Sequence, residues 1–299
     1  MGSMSDQKKA SSNFCLSRRS FLFLGSAALA GRLAIASKAT AESVTVERST
    51  ITSIPFYKTS IDLTDPFTFL AIGLANNSTL DNPEGIIGDE SFERMVARYH
   101  AAVVANGTFF GKDDPKSLIG NIVSAGRFVK YSPGENHGTT LGLRAGNQPE
   151  MLTARVDGQP LWTQYWFSLT AGPRLLRGGK TWLAPRTEGF TDPHVMGVAH
   201  RCAIGFPASG KKLILVTFLK PLPLWREAQL MRAIGCSEAM NLDGGASIAL
   251  SQSGTILVRP KREQTNVIVV YDTHHKAPTF LQQRWLRFQM GERPTLPEG

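Results

Sequence analysis

Short apolar segments, separated by turns rich in Gly, Pro, Asn and Asp, recur along the chain from residue 44 onwards. Their lengths and their content of β-branched and aromatic residues are typical of β-strands. The segment at residues 76–88 is rich in Asn, Asp, Gly and Pro, so it predicts a loop. Strands are predicted at residues 44–54, 67–72, 101–105, 122–131, 139–144, 151–156, 167–171, 201–206, 213–219, 238–242, 248–250, 256–258 and 267–271.

Three segments instead repeat apolar residues at helical spacing. The first carries Phe92, Met95, Val96 and Tyr99. A second begins at Pro223 and ends near Gly235, and a third carries Leu281, Trp285 and Phe288. No internal repeat or long linker interrupts the pattern. The sequence therefore predicts a single α+β domain with a mixed β-sheet core and a few helices.

The first 41 residues differ from the rest of the chain. They combine basic residues, a short apolar run at residues 21–30 and a small-residue A-x-A motif at residues 39–41. Because this run is far shorter than the ~20 residues of a membrane-spanning helix, the segment is predicted to be a signal peptide. The pair Arg18 and Arg19, followed by S-F-L, fits the twin-arginine export pattern. The alternatives are an ordinary Sec signal with a chance arginine pair, or a retained anchor.

These features divide the chain into four predicted parts. They are a twin-arginine-type signal peptide at residues 1–41, N-terminal strands and a helix at 42–100, the core of the domain at 101–273, and a C-terminal helix and tail at 274–299.

The net charge of the chain is +9, and its location changes what it implies. Six basic residues and one acidic residue in the first 41 residues contribute +5, which leaves +4 on the mature chain. Nucleic-acid binding is therefore not expected. We expect export by the twin-arginine machinery to the periplasm or the extracellular space, with no stable membrane span after processing.

Cys202 and Cys236 remain in the mature chain, either as a disulfide or as two buried thiols.

Residues 238–247, E-A-M-N-L-D-G-G-A-S, are the most informative stretch. No G-x-S-x-G or H-E-x-x-H motif occurs, and an arginine replaces the glycine that a P-loop needs at position 174. A strand here would end at Asp243, and Gly244 and Gly245 would let the backbone approach a ligand and donate N–H groups to an anion. A tight hairpin is the alternative. Asn241 slightly favours a ligand-binding site over a hairpin, because alternate residues of a strand share one face and Asn241 would therefore lie beside Asp243.

The segment at residues 241–247, N-L-D-G-G-A-S, resembles the N-L-D-G-G-x-S signature of the phosphodiester glycosidase family. That family includes an enzyme that uncovers mannose 6-phosphate by removing a capping N-acetylglucosamine, and bacterial exopolysaccharide-associated proteins. Cys202 and Ala246 depart from the family pattern, which has Thr and Gly there. Four other segments resemble family motifs in the same order, at residues 106–110, 171–175, 200–205 and 262–266.

The resemblance implies hydrolysis of the bond between a sugar anomeric carbon and a phosphodiester oxygen. The leaving group is then a phosphate monoester, which departs far more readily than an alcohol. Stabilising the phosphate charge and positioning a nucleophile therefore matter more than strong acid protonation. The expected substrate is a glycosyl phosphate or polysaccharide of the envelope or an exopolysaccharide, and no cofactor or metal is expected.

The resemblance also suggests roles for individual residues. Asp243 is a candidate nucleophile, general base or ligand of sugar hydroxyls, and His200 is a candidate acid–base group. The substrate-binding candidates are Arg174 and Arg201 for the phosphate, Gly244, Gly245 and Ser247 for the same anion, and Asn106 and Asn241 for the sugar. Arg174 could instead be a solvated loop charge, and Asn106 could simply shape a turn.

Two other functions remain open. The departures at Cys202 and Ala246 would suit a non-catalytic glycan- or anion-binding envelope protein on the same scaffold. His194, His200 and Asp243 would suit a metal-dependent phosphodiesterase, although their spacing matches no standard metal-binding pattern.

Overall fold

Antiparallel β-sheets dominate the structure. The computed structural model describes residues 42–76, 88–112 and 116–297. Within these ranges, 17 strands form three sheets and five helices accompany them. The predicted α+β domain with a β-sheet core and few helices is thereby confirmed. The core was predicted to be a mixed sheet, whereas each pairing between the described strands is antiparallel. The predicted signal peptide and most of the loop predicted at residues 76–88 lie outside the described residues.

The strands follow one another along the chain in short segments. They are β1 (Val44–Ile51), β2 (Ile54–Asp62), β3 (Phe69–Leu74), β4 (Val103–Asn106), β5 (Ile122–Ser124), β6 (Arg127–Lys130), β7 (Thr139–Leu143), β8 (Pro149–Thr153), β9 (Phe167–Ala171), β10 (Arg174–Arg177), β11 (Lys180–Thr181), β12 (Cys202–Phe206), β13 (Lys212–Phe218), β14 (Glu238–Asn241), β15 (Leu250–Gln252), β16 (Thr255–Val258) and β17 (Asn266–Tyr271). The helices are α1 (Phe92–Tyr99), α2 (Ala154–Asp157), α3 (Pro193–Met196), α4 (Leu224–Ala233) and α5 (Thr279–Gln289).

The sheets bring distant parts of the chain together. The first sheet has the strand order β1-β2-β13-β12-β14-β10-β11. The second has the order β16-β15-β4-β17-β3, so that its central strands come from opposite ends of the domain. The third has the order β6-β5-β9-β7-β8. The first two sheets adjoin each other at one place. The ends of β4 and β14 and the start of β12 meet there, and the candidate site described below lies at this point.

Most predicted elements are present, but three local predictions were wrong. The single strand predicted at residues 122–131 is a hairpin of β5 and β6. The single strand predicted at residues 44–54 is a hairpin of β1 and β2, turned by Thr52 and Ser53 with φ of 46° and 66°. Ser is frequent in turns, but neither position holds the Gly, Asn or Asp that most often adopts a positive φ, so the sequence gives little sign of this turn. The strand predicted at residues 151–156 ends at Thr153, and the chain continues as α2.

Two buried clusters hold the sheets and α4 in place. The larger contains apolar side chains from all three sheets, among them Leu141, Val269 and Leu215. The smaller packs the buried face of α4, including Ala228 and Met231, against the first sheet. Since each fully buried large aliphatic side chain contributes about 1.5–3 kcal/mol, these clusters supply the main stabilisation of the strands that carry the site.

Two further predictions concern the cysteines and the membrane. Cys202 and Cys236 are both free and buried, which agrees with two buried thiols. Burial raises the pKa of each thiol to about 12. Among the described residues, no helix is long and apolar enough to cross a membrane.

Candidate active site

Asp243 occupies the point where β14 leaves the first sheet. Its backbone N–H donates to the Gly107 carbonyl over 3.3 Å, and its carbonyl accepts from Asn106 Nδ2 over 2.6 Å. Asn106 Oδ1 in turn accepts the Ala249 N–H at 3.0 Å. These bonds tie the end of β4 to the residues after β14, so the position of the Asp243 carboxylate is fixed by both sheets.

Two glycines are needed for this close approach. A Cβ on Gly244 would lie 2.5 Å from the His200 carbonyl oxygen. A Cβ on Gly107 would overlap the Asn266 side chain. The amide group of that side chain accepts a hydrogen bond from the Thr108 N–H and donates one to the Thr108 carbonyl. After Gly244 the chain forms a 3-10 turn over Gly245–Ser247. The Asp-Gly-Gly segment is therefore not the tight hairpin that was the alternative prediction.

The Asp243 carboxylate pairs with Arg262. Arg262 Nη2 lies 2.7 Å from Asp243 Oδ2, and Arg262 Nε donates to Ser247 Oγ. The guanidinium also stacks over the Phe110 ring at 4.2 Å from its centroid. Burial raises the pKa of Asp243, while Arg262, Ser247 and the Gly244 N–H oppose that rise by stabilising the carboxylate.

Arg201 supplies a second cation to the same cleft. Its side chain is 2% exposed. Nε donates to the Leu222 carbonyl at 3.2 Å and Nη2 donates to the Gly197 carbonyl. Burial lowers the pKa of Arg201, and the Glu227 carboxyl, 3.8 Å from Nε, opposes that change. The cleft therefore combines one buried guanidinium with one that is partly exposed.

Asn241 offers an acceptor beside these charges. Its Nδ2 donates to the carbonyls of Gly172 at 2.9 Å and Leu242 at 2.7 Å. Its Oδ1 is buried and accepts no hydrogen bond from the described residues. Since buried polar atoms are nearly always bonded, this oxygen is a natural partner for a ligand hydroxyl.

These residues line a cleft of about 590 Å³. The opposite wall is aromatic: Phe190 packs at 5.9 Å from Phe109 and at 4.2 Å from the His137 ring. Burial is the largest cause that lowers the pKa of His137. The cleft thus has a charged side and an apolar side, and its volume suits a small ligand with both characters.

The structure brings most of the predicted site residues together. Asn241, Asp243, Gly244, Gly245 and Arg201 all line the cleft. Ser247 is fully buried behind it and acts through its bond to Arg262. The Gly245 N–H, predicted to face an anion, instead donates to the His200 carbonyl at 2.8 Å.

Arg174 lies outside the cleft, so a direct contact with the substrate phosphate does not fit its position. Its side chain is 4% exposed and pairs with Glu238 at 2.5 Å and with Asp157 at 3.2 Å. Its backbone N–H donates to both oxygens of the buried Glu188 at 2.9 and 3.0 Å. The solvated loop charge that was the alternative does not fit either, because the guanidinium is part of a buried network.

Asn106 and His200 also do not line the cleft. The oxygen and the nitrogen of the Asn106 side-chain amide both form hydrogen bonds with backbone groups. The predicted contact with the sugar is therefore replaced by a role in positioning Asp243. His200 contributes its backbone carbonyl to the turn after Asp243, and its Nδ1 is buried with no hydrogen bond to the described residues. An acid–base role for His200 does not fit this placement.

Several residues of the cleft were not predicted as site residues, among them Arg262, Phe190 and His137. Of these three, only Arg262 could have been found from the sequence, because it begins the segment at residues 262–266 that resembles a family motif. The described residues include no group of three His, Cys, Asp or Glu side chains arranged to hold a metal ion. His194, a candidate ligand, is an exposed residue of α3.

The cleft thus combines the buried Asp243 carboxylate with the Asn241 amide, whose oxygen can accept a hydrogen bond from a hydroxyl group. Two guanidinium groups, those of Arg201 and Arg262, complete this set. Guanidinium groups bind phosphate oxygens through two parallel hydrogen bonds. A carboxylate whose ionised form is stabilised by an arginine can attack, or deprotonate water for attack, at an electrophilic carbon.

Comparison with known proteins agrees with this chemistry. Residues 99–271, more than half of the chain, match the sequence profile of the family described as phosphodiester glycosidase. No curated protein sequence matches the chain significantly.

Three solved structures share the fold. A protein of Synechocystis is 17% identical with a TM-score of 0.59, over 77% of this chain and 62% of that chain. The catalytic domain of zebrafish N-acetylglucosamine-1-phosphodiester alpha-N-acetylglucosaminidase, auto-inhibited by its pro-peptide, is 18% identical with a TM-score of 0.58, over 77% and 82%. A protein of Burkholderia pseudomallei, described as exported, is 14% identical with a TM-score of 0.53, over 73% and 74%.

Proposed function

Because this chain belongs to the phosphodiester glycosidase family and is a hydrolase of that type, we propose that it cleaves a glycosyl phosphodiester in the cleft beside Asp243. The bond that breaks joins the anomeric carbon of a sugar to a phosphodiester oxygen. The observation that carries this proposal is the Asp243–Arg262 pair, 2.7 Å apart, in a cleft that Arg201 also lines.

The two arginines support binding of the phosphodiester anion. Arg201 has Nε and Nη2 committed to backbone carbonyls, and Nη1 makes no hydrogen bond to the described residues. Arg262 also lines the cleft, with its side chain 38% exposed. As the glycosidic bond breaks, negative charge grows on the departing phosphate oxygen, and a guanidinium next to that oxygen stabilises it.

Asp243 acts at the anomeric carbon. It attacks that carbon directly, or it takes a proton from the water that attacks. In both cases the bond to the phosphate oxygen breaks and a phosphate monoester leaves, and water supplies the new hydroxyl of the sugar. Asn241 Oδ1 is available to accept a hydrogen bond from a sugar hydroxyl. The Phe190 side chain can pack against the apolar face of the sugar ring.

The proposal for the substrate class and the location is supported by the sequence of the N-terminal segment. The twin-arginine pattern at Arg18 and Arg19 supports export of the folded protein by the twin-arginine machinery to the periplasm or beyond. A glycosyl phosphate in an envelope glycan or an exopolysaccharide is then the accessible substrate. Replacing both arginines by lysine should retain the protein in the cytoplasm, and unchanged export would contradict this route.

A hydrolysis screen tests the proposed activity. The purified protein is incubated with a panel of glycosyl phosphodiesters, and the released reducing sugar and phosphate monoester are measured. Asp243→Asn should abolish turnover while the circular dichroism spectrum stays unchanged. The anomeric configuration of the first product, read by NMR, separates direct attack (retention) from attack by water (inversion).

Asp272→Asn is a matched control, because Asp272 is also a buried carboxylate but lies outside the cleft and bonds the backbone of His274 and His275. That variant should keep full activity. Binding of a sugar phosphate by the unchanged protein without product release would favour the non-catalytic binding protein. Activity that disappears with a chelator and returns with a divalent metal would favour the metal-dependent phosphodiesterase.

A further inference from the structure

A second acidic group lies directly behind the cleft. Glu227, on α4, is fully buried, and neither of its carboxyl oxygens accepts a hydrogen bond from the described residues. Its Oε2 lies 3.8 Å from Arg201 Nε. A buried carboxyl group without hydrogen bonds is uncommon and costs free energy, so packing alone does not account for its presence.

The position of Arg201 suggests what this carboxyl group does. The Leu222 and Gly197 carbonyls hold Nε and Nη2. Glu227 contacts the guanidinium from the side of α4, while Arg201 is also one of the residues that line the cleft. An anion in the cleft and the Glu227 carboxyl group would therefore share one guanidinium.

We propose that Glu227 is the counter-charge of Arg201, which positions the guanidinium toward the cleft and limits how tightly it holds an anion. This inference rests on the proposed function, in which Arg201 binds the substrate phosphate. When Glu227 is ionised the pair is neutral, and when it is protonated the pair carries one positive charge. Glu227 is a positioning residue, because it touches Arg201 rather than the cleft.

The charge of the pair changes with pH. Burial raises the pKa of the Glu227 carboxyl group, and the Arg201 guanidinium lowers it. Among the described residues, the other titratable group that interacts with Glu227 is the Cys202 thiol, next to Arg201 in the chain, and its pKa of about 12 keeps it neutral at ordinary pH. Affinity for an anion should therefore fall as pH rises and Glu227 ionises. The phosphate monoester product carries more charge than the diester, so this repulsion favours its release.

Sulfate is a suitable probe, because it is a tetrahedral anion whose charge is constant between pH 5 and 9. Its dissociation constant is measured by calorimetry across this range for the unchanged protein and for Glu227→Gln. The variant keeps the shape of the side chain and removes its charge. We expect Glu227→Gln to bind sulfate about tenfold more tightly at the upper end of the range, since removing a nearby unit charge from a partly buried site has an effect of this order.

The comparison isolates Glu227 because the two proteins share all other titratable groups of the cleft. Glu238→Gln is the matched control: Glu238 also pairs with a buried arginine, Arg174, but that pair lies outside the cleft. Glu227→Met, which is neutral and apolar, is a second variant if the glutamine variant does not fold. It should also bind sulfate more tightly than the unchanged protein does.

Equal sulfate affinity and equal pH dependence in the unchanged protein and a folded Glu227 variant would overturn the inference. So would the same tightening in Glu238→Gln, or no sulfate binding by the unchanged protein. These results are independent of turnover. A protein that binds sulfate as described but hydrolyses no glycosyl phosphodiester refutes the proposed function alone, whereas active protein with unaltered sulfate binding in the variants refutes the counter-charge alone.

Discussion

Replacing Arg174 distinguishes a structural arginine from a phosphate-binding one. The guanidinium joins Glu238 and Asp157 and also donates to the Leu176 carbonyl at 3.2 Å. Arg174→Met keeps most of the volume but leaves two partly buried carboxylates without this partner. Breaking a buried ion pair in this way costs about 3–5 kcal/mol. Because Glu238 and Asp157 keep 18% and 11% of their side-chain exposure, we expect the lower end, about 3 kcal/mol.

Thermal unfolding and steady-state kinetics measure the two roles separately. For a domain of this size, a loss of about 3 kcal/mol lowers Tm by about 6–12 °C. Well below that temperature, KM and kcat for a glycosyl phosphodiester should stay within about twofold of the unchanged protein. Arg177→Met is the control: Arg177 pairs with the same Asp157 at 2.6 Å but is 43% exposed, so its loss should cost less than about 1 kcal/mol.

A different pattern would refute this reasoning. If Arg174→Met raised KM more than tenfold and left Tm unchanged, Arg174 would contact the substrate in a conformation that differs from this structure. If Arg177→Met destabilised the protein as much as Arg174→Met does, burial of the guanidinium would not be the source of the stabilisation.

Two more predictions concern ionisable groups near the cleft. Burial raises the pKa of Glu188 from 4.5 to about 7, so the folded protein keeps a proton that the unfolded chain loses. The free energy of unfolding should therefore fall by about 3 kcal/mol as pH rises from 4.5 to 7, and Glu188→Gln should lack this fall in denaturant titrations. Arg262 lowers the pKa of Asp243, so Arg262→Gln should move the acid limb of the kcat/KM profile to higher pH; an unmoved limb would exclude this pairing during catalysis.

The elements that could be predicted from the sequence are those whose patterns are local. The helix α1 was predicted because four apolar residues at helical spacing share one face, and all four are buried in the structure. The strand ending before Asp243 was predicted because an apolar run stops at an Asp-Gly-Gly turn. The hairpin of β1 and β2 was missed, since Thr52 and Ser53 both adopt left-handed backbone conformations and neither is the Gly or Asn that usually signals them.

Residues of the site depend on contacts that the sequence does not display. Arg174 begins a buried strand and Arg201 directly precedes one, so the two look alike in the sequence. In the structure, Arg174 belongs to an ion-pair network and Arg201 lines the cleft. Arg262 reaches Asp243 across 19 residues of chain through the turn after Asp243 and the β15–β16 hairpin. The sequence alone does not predict the path of that segment.

The strand β17 lies between β4 and β3 in the second sheet, yet it is the last strand of the chain. During synthesis, β4 emerges 160 residues before β17 begins. At about 5–20 residues per second, the nascent chain waits roughly 10–30 s for the strand that completes this sheet. Asn266, which bonds Thr108 beside the cleft, arrives with it. The cleft can therefore form only after almost the whole chain has been made, so hydrolytic activity cannot precede completion of the domain.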